Sequence, residues 1–306
     1  MMLEIESLIR RISGQSLSAE SISIICIATT NPVYLVFLDQ SDTPCFVVRP
    51  ANSESNRVSH ELSLRLHHVN QALVPETIGL YEHNGNAYSV QRGASGTPWF
   101  RLPREVASPE QWGAIRNRTI EALRQFHEGV ASVSEWTTRI YLGDALRSAY
   151  QDFIVTGNHP AYPLASFADS MANELDRLGA WDGIFQHGDF GLNNLLFEEN
   201  KISVVDLEDF GITAVPLYDE FTLALSLSTL APGSVKSSVA IELAACTLPF
   251  KQQYSLGRKK IQALFLFYLL LRLGTWSSSE KRQFYRRNLL CLLEQYINDP
   301  DSYIGS

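Results

Sequence analysis

The most informative stretch of the chain is residues 187–209, which reads HGDFGLNNLLFEENKISVVDLED. Two apolar segments flank a polar turn, and this pattern predicts a β-hairpin. A turn centred on Asn200 would place Asn194 directly opposite Asp206, with their Cβ atoms about 5 Å apart. An amide oxygen and a carboxylate at that separation can share one Mg²⁺ ion, which takes oxygen ligands and keeps several waters and phosphates.

Asp189 lies five residues before Asn194, in the loop that leads into the hairpin. A carboxylate held beside a metal and its phosphates can orient an acceptor hydroxyl and take its proton during in-line phosphoryl transfer. An aspartate in a loop is, taken alone, more often a cap. The combination with an asparagine, a hairpin and a second aspartate is more specific, and it favours a catalytic role for Asp189.

The two ends of the chain differ in their secondary-structure signals. Residues 1–91 show short β-branched and apolar runs separated by turn residues, with one amphipathic helix predicted over 56–69. Two short strands, 78–82 and 87–91, are predicted to form a hairpin through Asn84-Gly85. The small, flexible segment 92–98 reads as a hinge. In residues 99–306 helices dominate, and the hairpin interrupts them. The predicted helices are 109–128, 139–156, 164–179, 217–230, 235–254, 258–274 and 279–298.

The catalytic stretch resembles the core of the aminoglycoside phosphotransferase and choline kinase-like family, whose motif is His-Gly-Asp, four residues, Asn, and a hairpin ending in Asp. The resemblance implies an α+β, two-lobed protein kinase-like fold, with a small β-rich N-lobe that covers the nucleotide and a larger helical C-lobe. It implies that Asp189 is the catalytic base and that Asn194 and Asp206 are metal ligands. Pro216-Leu217-Tyr218-Asp219 resembles the family's Pro-x-Tyr-Asp, in which the aspartate braces the catalytic loop, and His127 reads as structural.

The same resemblance implies a nucleotide site in the N-lobe. The family places a basic strand residue on the phosphates, paired with a helix glutamate. The first lysine of this chain is Lys201, so Arg49 is the candidate for that position, with Glu61 as its partner. Backbone groups at Ser89 and Gln91 are expected to hold adenine. The phosphate-covering loop falls at 29–32 and has no glycine.

The composition excludes several classes of function. The formal net charge is -8, and an acidic surface repels phosphate backbones, so nucleic acid is not expected as a partner. The longest apolar run, Ala263–Leu271, is too short to span a bilayer, and the acidic N-terminus is unlike a signal peptide, so no membrane association is expected. Four scattered cysteines favour a reducing cytoplasm. The sequence contains no signal for an oligomeric state.

The sequence thus favours a kinase that uses ATP or GTP with Mg²⁺ and phosphorylates a hydroxyl group of a small molecule, such as a sugar, an amino alcohol or an antibiotic. The alternative is a catalytically silent nucleotide-binding module, which the glycine-free loop and the arginine in place of lysine would suit. A polypeptide acceptor is disfavoured because Asp206 and Pro216 are only ten positions apart, too close for a long activation segment. The C-terminal part is not conspicuously acidic, so a polycationic aminoglycoside is not favoured over a neutral acceptor.

Overall fold

The computed structural model of the protein describes residues 2–13, 21–27, 32–104, 106, 108–157, 163–233, 235, 237–277 and 282–305. The strands are β1 (Ile22–Ile27), β2 (Val33–Leu38), β3 (Phe46–Pro50), β4 (Thr77–His83), β5 (Asn86–Arg92), β6 (Thr97–Pro98), β7 (Thr137–Tyr141), β8 (Ala180–Ile184), β9 (Leu195–Phe197) and β10 (Ile202–Val204). The α-helices are α1 (Met2–Ser13), α2 (Glu54–Val69), α3 (Pro109–Ala131), α4 (Leu142–Val155), α5 (Leu164–Asp176), α6 (Tyr218–Leu230), α7 (Val239–Tyr254), α8 (Arg258–Leu273) and α9 (Gln283–Asn298).

The chain divides into two compact units. The first consists of Met1–Glu105 and Asn193–Glu208, and the second of Val106–Leu192 and Asp209–Ser306. The first unit is built on antiparallel sheets and the second on helices, so the predicted α+β class is confirmed. The sequence places the hairpin after residue 98 in the C-terminal region, whereas the structure groups it with the first unit.

A five-stranded antiparallel sheet with the order β1-β2-β3-β5-β4 forms most of the first unit. The β4–β5 hairpin turns through Asn84 and Gly85, which both have positive φ angles of 50° and 79°. An Asn-Gly pair adopts this turn readily because both residues tolerate left-handed backbone conformations. The sequence predicts this hairpin, and the structure confirms it.

Helix α1 covers one face of this sheet. Ile5, Leu8 and Ile9 are fully buried, and they pack in one apolar cluster with strand residues that include Val36 and Val90. The sequence predicts one helix in residues 1–91, and the structure adds α1 as a second. The prediction misses α1 although its signal is present in the sequence, where Ile5, Leu8, Ile9 and Ile12 recur at the spacings of one helix face.

The β9–β10 hairpin differs by one residue from the predicted register. Leu195 pairs with Val204 and Phe197 pairs with Ile202, and β9 also pairs with β6. The Glu198 amide donates to the Lys201 carbonyl at 2.9 Å, so two residues form the turn rather than three centred on Asn200. The prediction that Asn194 lies directly opposite Asp206 is therefore wrong.

The second unit contains α3 to α9 and the two-stranded sheet β7–β8. Its helices begin and end within a few residues of the predicted bounds. Twelve of the sixteen residues of α8 are buried, as expected for a helix that is apolar on all sides. No helix of the described residues is both long enough and apolar enough to cross a membrane.

Candidate active site

The loop that contains Asp189 has a tightly packed backbone. Gly188 has a φ of 88°, in the left-handed region that favours glycine. A Cβ atom built on Gly188 would lie 2.1 Å from the carbonyl oxygen of Asp209. Because this contact is with backbone rather than with a flexible side chain, no larger residue fits without displacing the loop. Packing therefore requires a glycine at the centre of the sequence His-Gly-Asp.

Gly188→Ala is expected to destabilise the second unit and to misplace Asp189. The strained φ alone costs about 1–3 kcal/mol, and the clash with Asp209 adds to it. Gly85→Ala is the matched control, since Gly85 has a φ of 79° and a Cβ atom added there would meet no other atom within 4 Å. Denaturant unfolding of both variants separates the two contributions. An equal loss of unfolding free energy in both would show that the Asp209 contact does not restrict the loop.

Asp219 holds the same loop from helix α6. Its carboxylate is fully buried and accepts hydrogen bonds from the backbone amides of His187 at 2.6 Å and Gly188 at 3.0 Å. His127 Nε2 lies 3.1 Å from the same carboxylate. The bracing role that the sequence suggests for Asp219 is confirmed, and so is the structural placement of His127.

This buried pair shifts the pKa of both partners. Burial alone would raise the pKa of Asp219, but the hydrogen bond and charge of His127 outweigh burial and hold that pKa below its ordinary value. Burial alone would lower the pKa of His127, but Asp219 and Glu220 outweigh burial and raise it. The geometry therefore favours an imidazolium–carboxylate pair behind the loop that contains Asp189.

Asp189 itself is partly exposed, with 43% of its side chain accessible, and it is joined to Arg272 of α8. The Arg272 Nη2 atom lies 3.1 Å from Asp189 Oδ1, and the Asp189 amide donates to His187 Nδ1 at 3.2 Å. An accessible carboxylate on a fixed loop can accept a proton from a bound hydroxyl group. Sequence reasoning missed Arg272. An arginine within an otherwise mostly apolar helix is a signal of a role, but its partner lies 83 positions away and is not visible in the sequence.

An aromatic and charged cluster surrounds Arg272. Its guanidinium carbon lies 4.0 Å from the ring centroid of Trp276, and that of Arg282 lies 3.8 Å from the same centroid. Both guanidinium groups are within cation–π distance of the indole, which itself is partly exposed. Trp276 Nε1 donates to Asp209 at 2.8 Å, and Arg282 Nη2 lies 3.7 Å from that carboxylate.

The predicted metal ligands both lie in the first unit. The Val205 amide donates to the Asn194 carbonyl at 3.0 Å, so Asn194 faces Val205 and Asp206 is the next residue along. Asp206 follows the strand with a φ of 63°, and it is exposed. The two predicted ligands are thus neighbours across the hairpin, diagonal rather than opposed. Among the described residues no cluster of three His, Cys, Asp or Glu side chains could bind a metal ion.

Arg49 lies on β3 and pairs in register with Ser89 of β5. Its Nη1 lies 3.8 Å from Glu208 Oε1, two residues after Asp206. The expected partner, Glu61, is exposed on α2, and the ion pairs found among the described residues do not join it to Arg49. The preceding residue, His60, is the one that is buried, and its Nδ1 lies 2.8 Å from Ser89 Oγ. Burial lowers the pKa of His60, which favours its neutral form.

Ser89 and Gln91 lie within β5, which has β3 on one edge and β4 on the other. In an inner strand the backbone amides and carbonyls face the neighbouring strands. This placement does not suit the expected contact of their backbone groups with adenine. The Gly93 amide still donates to the Cys45 carbonyl, so Ala94 is the first residue beyond the ladder. The predicted phosphate-covering loop lies almost wholly outside the described residues.

Comparison with known proteins finds one protein family and several solved kinase structures that are similar to this chain. The family model described as "Phosphotransferase enzyme family" matches residues 27–235. Choline kinase from Cryptosporidium parvum Iowa II is 15% identical with a TM-score of 0.58, over 97% of both chains. A glucosamine kinase in complex with glucosamine, ADP and inorganic phosphate is 16% identical with a TM-score of 0.56, over 96% of this chain and 82% of that one.

A thermostable mutant of an aminoglycoside phosphotransferase, in ternary complex with ADP and hygromycin B, is also similar. It is 12% identical with a TM-score of 0.56, over 99% of this chain and all of that one. No curated protein sequence matches the chain. At these identities the structural likeness shows the fold alone, and it confirms the predicted protein kinase-like fold.

Proposed function

Because the chain belongs to the phosphotransferase enzyme family, we propose that it transfers the γ-phosphoryl group of ATP to a hydroxyl group of a small molecule. Family membership makes the protein a small-molecule kinase. The observation that supports this reaction most directly is the accessible carboxylate of Asp189, on a loop that Asp219 and Arg272 both hold. General-base chemistry requires such a fixed, accessible acceptor for a proton.

In the proposed reaction Asp189 orients the acceptor hydroxyl and accepts its proton. The hydroxyl oxygen forms a bond to the γ-phosphorus while the bond from that phosphorus to the β,γ-bridging oxygen breaks. The bond electrons leave with ADP, and the phosphorylated acceptor is the second product. Positioning and charge stabilisation supply most of the rate enhancement in this reaction class, so a rigid catalytic loop is more important than a strong base.

The residues present suit a Mg²⁺ ion. Asn194 and Asp206 offer an amide and a carboxylate oxygen on adjacent positions of one hairpin, and Mg²⁺ in nucleotide sites takes one or two protein oxygens plus waters and phosphates. Bound there, the ion would neutralise charge on the β- and γ-phosphates. Arg49 would add a permanent positive charge for the phosphates, and its contact with Glu208 keeps it beside the segment that contains Asp206.

Adenine binding remains a proposal for the end of β5. We propose that Ser89 and Gln91 contribute to nucleotide binding indirectly, by holding β5 in the sheet. The backbone groups from Ala94 onward would contact the base. Arg49 contacts Glu208 in this structure. We therefore assign an ion pair between Arg49 and Glu61 to the nucleotide-bound state, in which Arg49 would have left Glu208. Nucleotide specificity between ATP and GTP would follow from the donors and acceptors of that backbone segment.

Asp206→Asn is expected to weaken Mg²⁺-dependent nucleotide binding by about 10- to 100-fold, because an amide oxygen replaces a charged ligand. The measurement is the rise in melting temperature caused by ATP as MgCl₂ is titrated, which does not depend on turnover. Glu199→Gln removes an exposed carboxylate from the turn of the same hairpin and is the control. Identical Mg²⁺ titrations for the two variants would exclude Asp206 as a ligand.

The acceptor is proposed to be neutral or to carry a small charge. Near Asp189, the carboxylates of Asp189 and Asp209 are balanced by the guanidinium groups of Arg272 and Arg282. A polycationic aminoglycoside would therefore gain no net attraction from this cluster. A quaternary ammonium group binds best on an aromatic face, and the Trp276 ring already has two guanidinium groups close to it.

The test is a panel of acceptors with Mg-ATP, followed by ADP release and by detection of the phosphorylated product. Neutral sugars and small amino alcohols are expected to support turnover better than choline or aminoglycosides. A silent nucleotide-binding module is the second candidate, favoured by Arg49 in place of lysine and by its contact with Glu208. ATP-induced thermal stabilisation without turnover on any acceptor would support that candidate instead.

A further inference from the structure

The side chain of Arg272 is completely buried, and it contacts the catalytic loop. Its Nη2 donates to the carbonyl oxygen of Gly188 at 2.6 Å, to Asp189 Oδ1 at 3.1 Å and to Thr222 Oγ1 at 3.1 Å. One nitrogen of α8 thus joins the loop backbone, the proposed base and helix α6. These contacts lie at the residue where the chemistry is proposed to occur.

Stability alone does not explain an arginine at this position. Two further nitrogens of Arg272, Nε and Nη1, are buried without a hydrogen-bond partner. A buried charge whose donors are not satisfied is costly, and apolar replacements at such positions often leave a protein as stable or more stable. The rings of Trp276 and Tyr218, at 4.0 and 5.1 Å from the guanidinium, offset part of this cost. The contacts of Nη2 are therefore the feature that requires an arginine.

Helix α6 and Arg272 hold Gly188 at both of its backbone polar groups. Asp219 accepts from the Gly188 amide, and Arg272 donates to the Gly188 carbonyl. Thr222, one helical turn after Asp219, accepts from Arg272 and donates to the Tyr218 carbonyl at 3.0 Å. Asp219 and Arg272 both hold the backbone of the loop, and Arg272 in addition holds the carboxylate of Asp189.

We infer that Arg272 is a positioning residue for phosphoryl transfer, which orients the Asp189 carboxylate by holding its Oδ1 atom. A carboxylate is planar, so fixing Oδ1 also fixes where Oδ2 lies relative to the acceptor hydroxyl. This inference rests on the proposed function, because it requires Asp189 to be the base. Arg272 does not touch the substrates, and its effect passes through Asp189.

The experiment compares Arg272→Ala and Arg272→Lys with the wild-type protein on an acceptor that supports turnover. Misplacing a reacting group by about 1 Å costs about 100-fold in rate, so kcat of Arg272→Ala is expected to fall by about that factor. The KM for ATP is expected to stay unchanged, and added guanidinium chloride, at concentrations far below those that unfold the protein, is expected to restore part of kcat. Arg272→Lys should retain an intermediate kcat.

Arg147→Ala is the control, because Arg147 lies on the surface of α4 and pairs with Asp176. Its kcat should be normal and should not rise with guanidinium. Thr222→Val tests the inference even if Arg272→Ala does not fold, since it removes one contact of Nη2 while keeping the side-chain shape. A several-fold lower kcat with unchanged KM in Thr222→Val is expected. Wild-type kcat in Thr222→Val or in Arg272→Ala, or no rescue of Arg272→Ala by guanidinium, would overturn the inference.

Asp189→Asn, measured in the same assay, separates this inference from the proposed function. If Asp189→Asn is inactive while Arg272→Ala behaves like wild type, only the positioning role fails. If Asp189→Asn keeps its turnover, Asp189 is not the base, and both the proposed mechanism and the inference fail.

Discussion

Replacement of Asp189 by asparagine is expected to lower kcat by about 10²- to 10⁴-fold, the usual contribution of a general base. Asparagine keeps the size of the side chain and can still contact Arg272, but it cannot accept the proton of the acceptor hydroxyl. The affinity for ATP should change little, because Asp189 is assigned to the acceptor and not to the nucleotide. Steady-state kinetics of ADP release, with ATP binding measured separately by calorimetry, tests both expectations.

Asp182→Asn is the control for this substitution, since Asp182 is an exposed carboxylate on β8 of the same unit. It should leave kcat and ATP binding unchanged. Equal losses of activity in the two variants would point to a general effect of charge rather than to proton transfer. Retained turnover in Asp189→Asn would exclude the residue as the base.

Asp219→Asn is expected to lower the free energy of unfolding by about 3–5 kcal/mol, the usual cost of removing one partner of a buried charge pair. Asp219 is fully buried, and its carboxylate accepts from two loop amides and lies beside His127. The amino group of asparagine would face the backbone amides of the loop, which are also donors. His127 would lose its counter-charge. Urea unfolding at neutral pH measures the loss.

The pH dependence of this loss follows from the two pKa shifts. The depressed pKa of Asp219 gives stability that is present above the ordinary aspartate value and is lost as pH falls through the folded-state pKa. The raised pKa of His127 gives stability that is present below about pH 6.5 and is lost as pH rises through the folded-state pKa. Burial raises the pKa of the neighbouring Glu220 and disfavours its charged form, while any charge on Glu220 adds to that of Asp219 in raising the pKa of His127.

The difference in unfolding free energy between wild type and Asp219→Asn should therefore be largest between about pH 4 and pH 6.5, and should shrink at higher pH as His127 loses its proton. Asp176→Asn provides the comparison, since Asp176 pairs with Arg147 at 2.6 Å on an exposed surface. Such a pair is worth at most about 1 kcal/mol, with little pH dependence near neutrality. If Asp219→Asn also lowered the free energy of unfolding by only about 1 kcal/mol, the buried pair would not stabilise the loop.

The elements that the sequence predicts well are the long helices rich in apolar residues and the hairpin with a distinctive turn. Helices α3 to α9 follow from long apolar-rich segments, and the β4–β5 hairpin follows from an Asn-Gly turn. The register of the β9–β10 hairpin could not be derived, because a two-residue turn and a three-residue turn are both compatible with Glu-Glu-Asn-Lys. A shift of one residue there changes which side chains are opposed.

The candidate site likewise contains residues that the sequence identifies and residues that it does not. Asp189, Asn194 and Asp206 can be identified from the sequence because they lie close together in it and form one pattern. Arg272 and His60 cannot, because their roles arise only when distant segments pack: Arg272 contacts a loop 83 positions earlier, and His60 contacts a strand 29 positions later. An arginine within an otherwise apolar helix is the signal that could have indicated a role for Arg272.

The first unit is discontinuous in sequence, and this has a consequence for synthesis. Its strand β6 pairs with β9, about a hundred positions further along the chain. During translation, the amino-terminal sheet can form early, but the proposed magnesium hairpin cannot join it until residue 208 has left the ribosome. By then helices α3, α4 and α5 of the other unit have also been made, so a nascent chain would acquire its nucleotide-binding capacity late, when most of its length already exists.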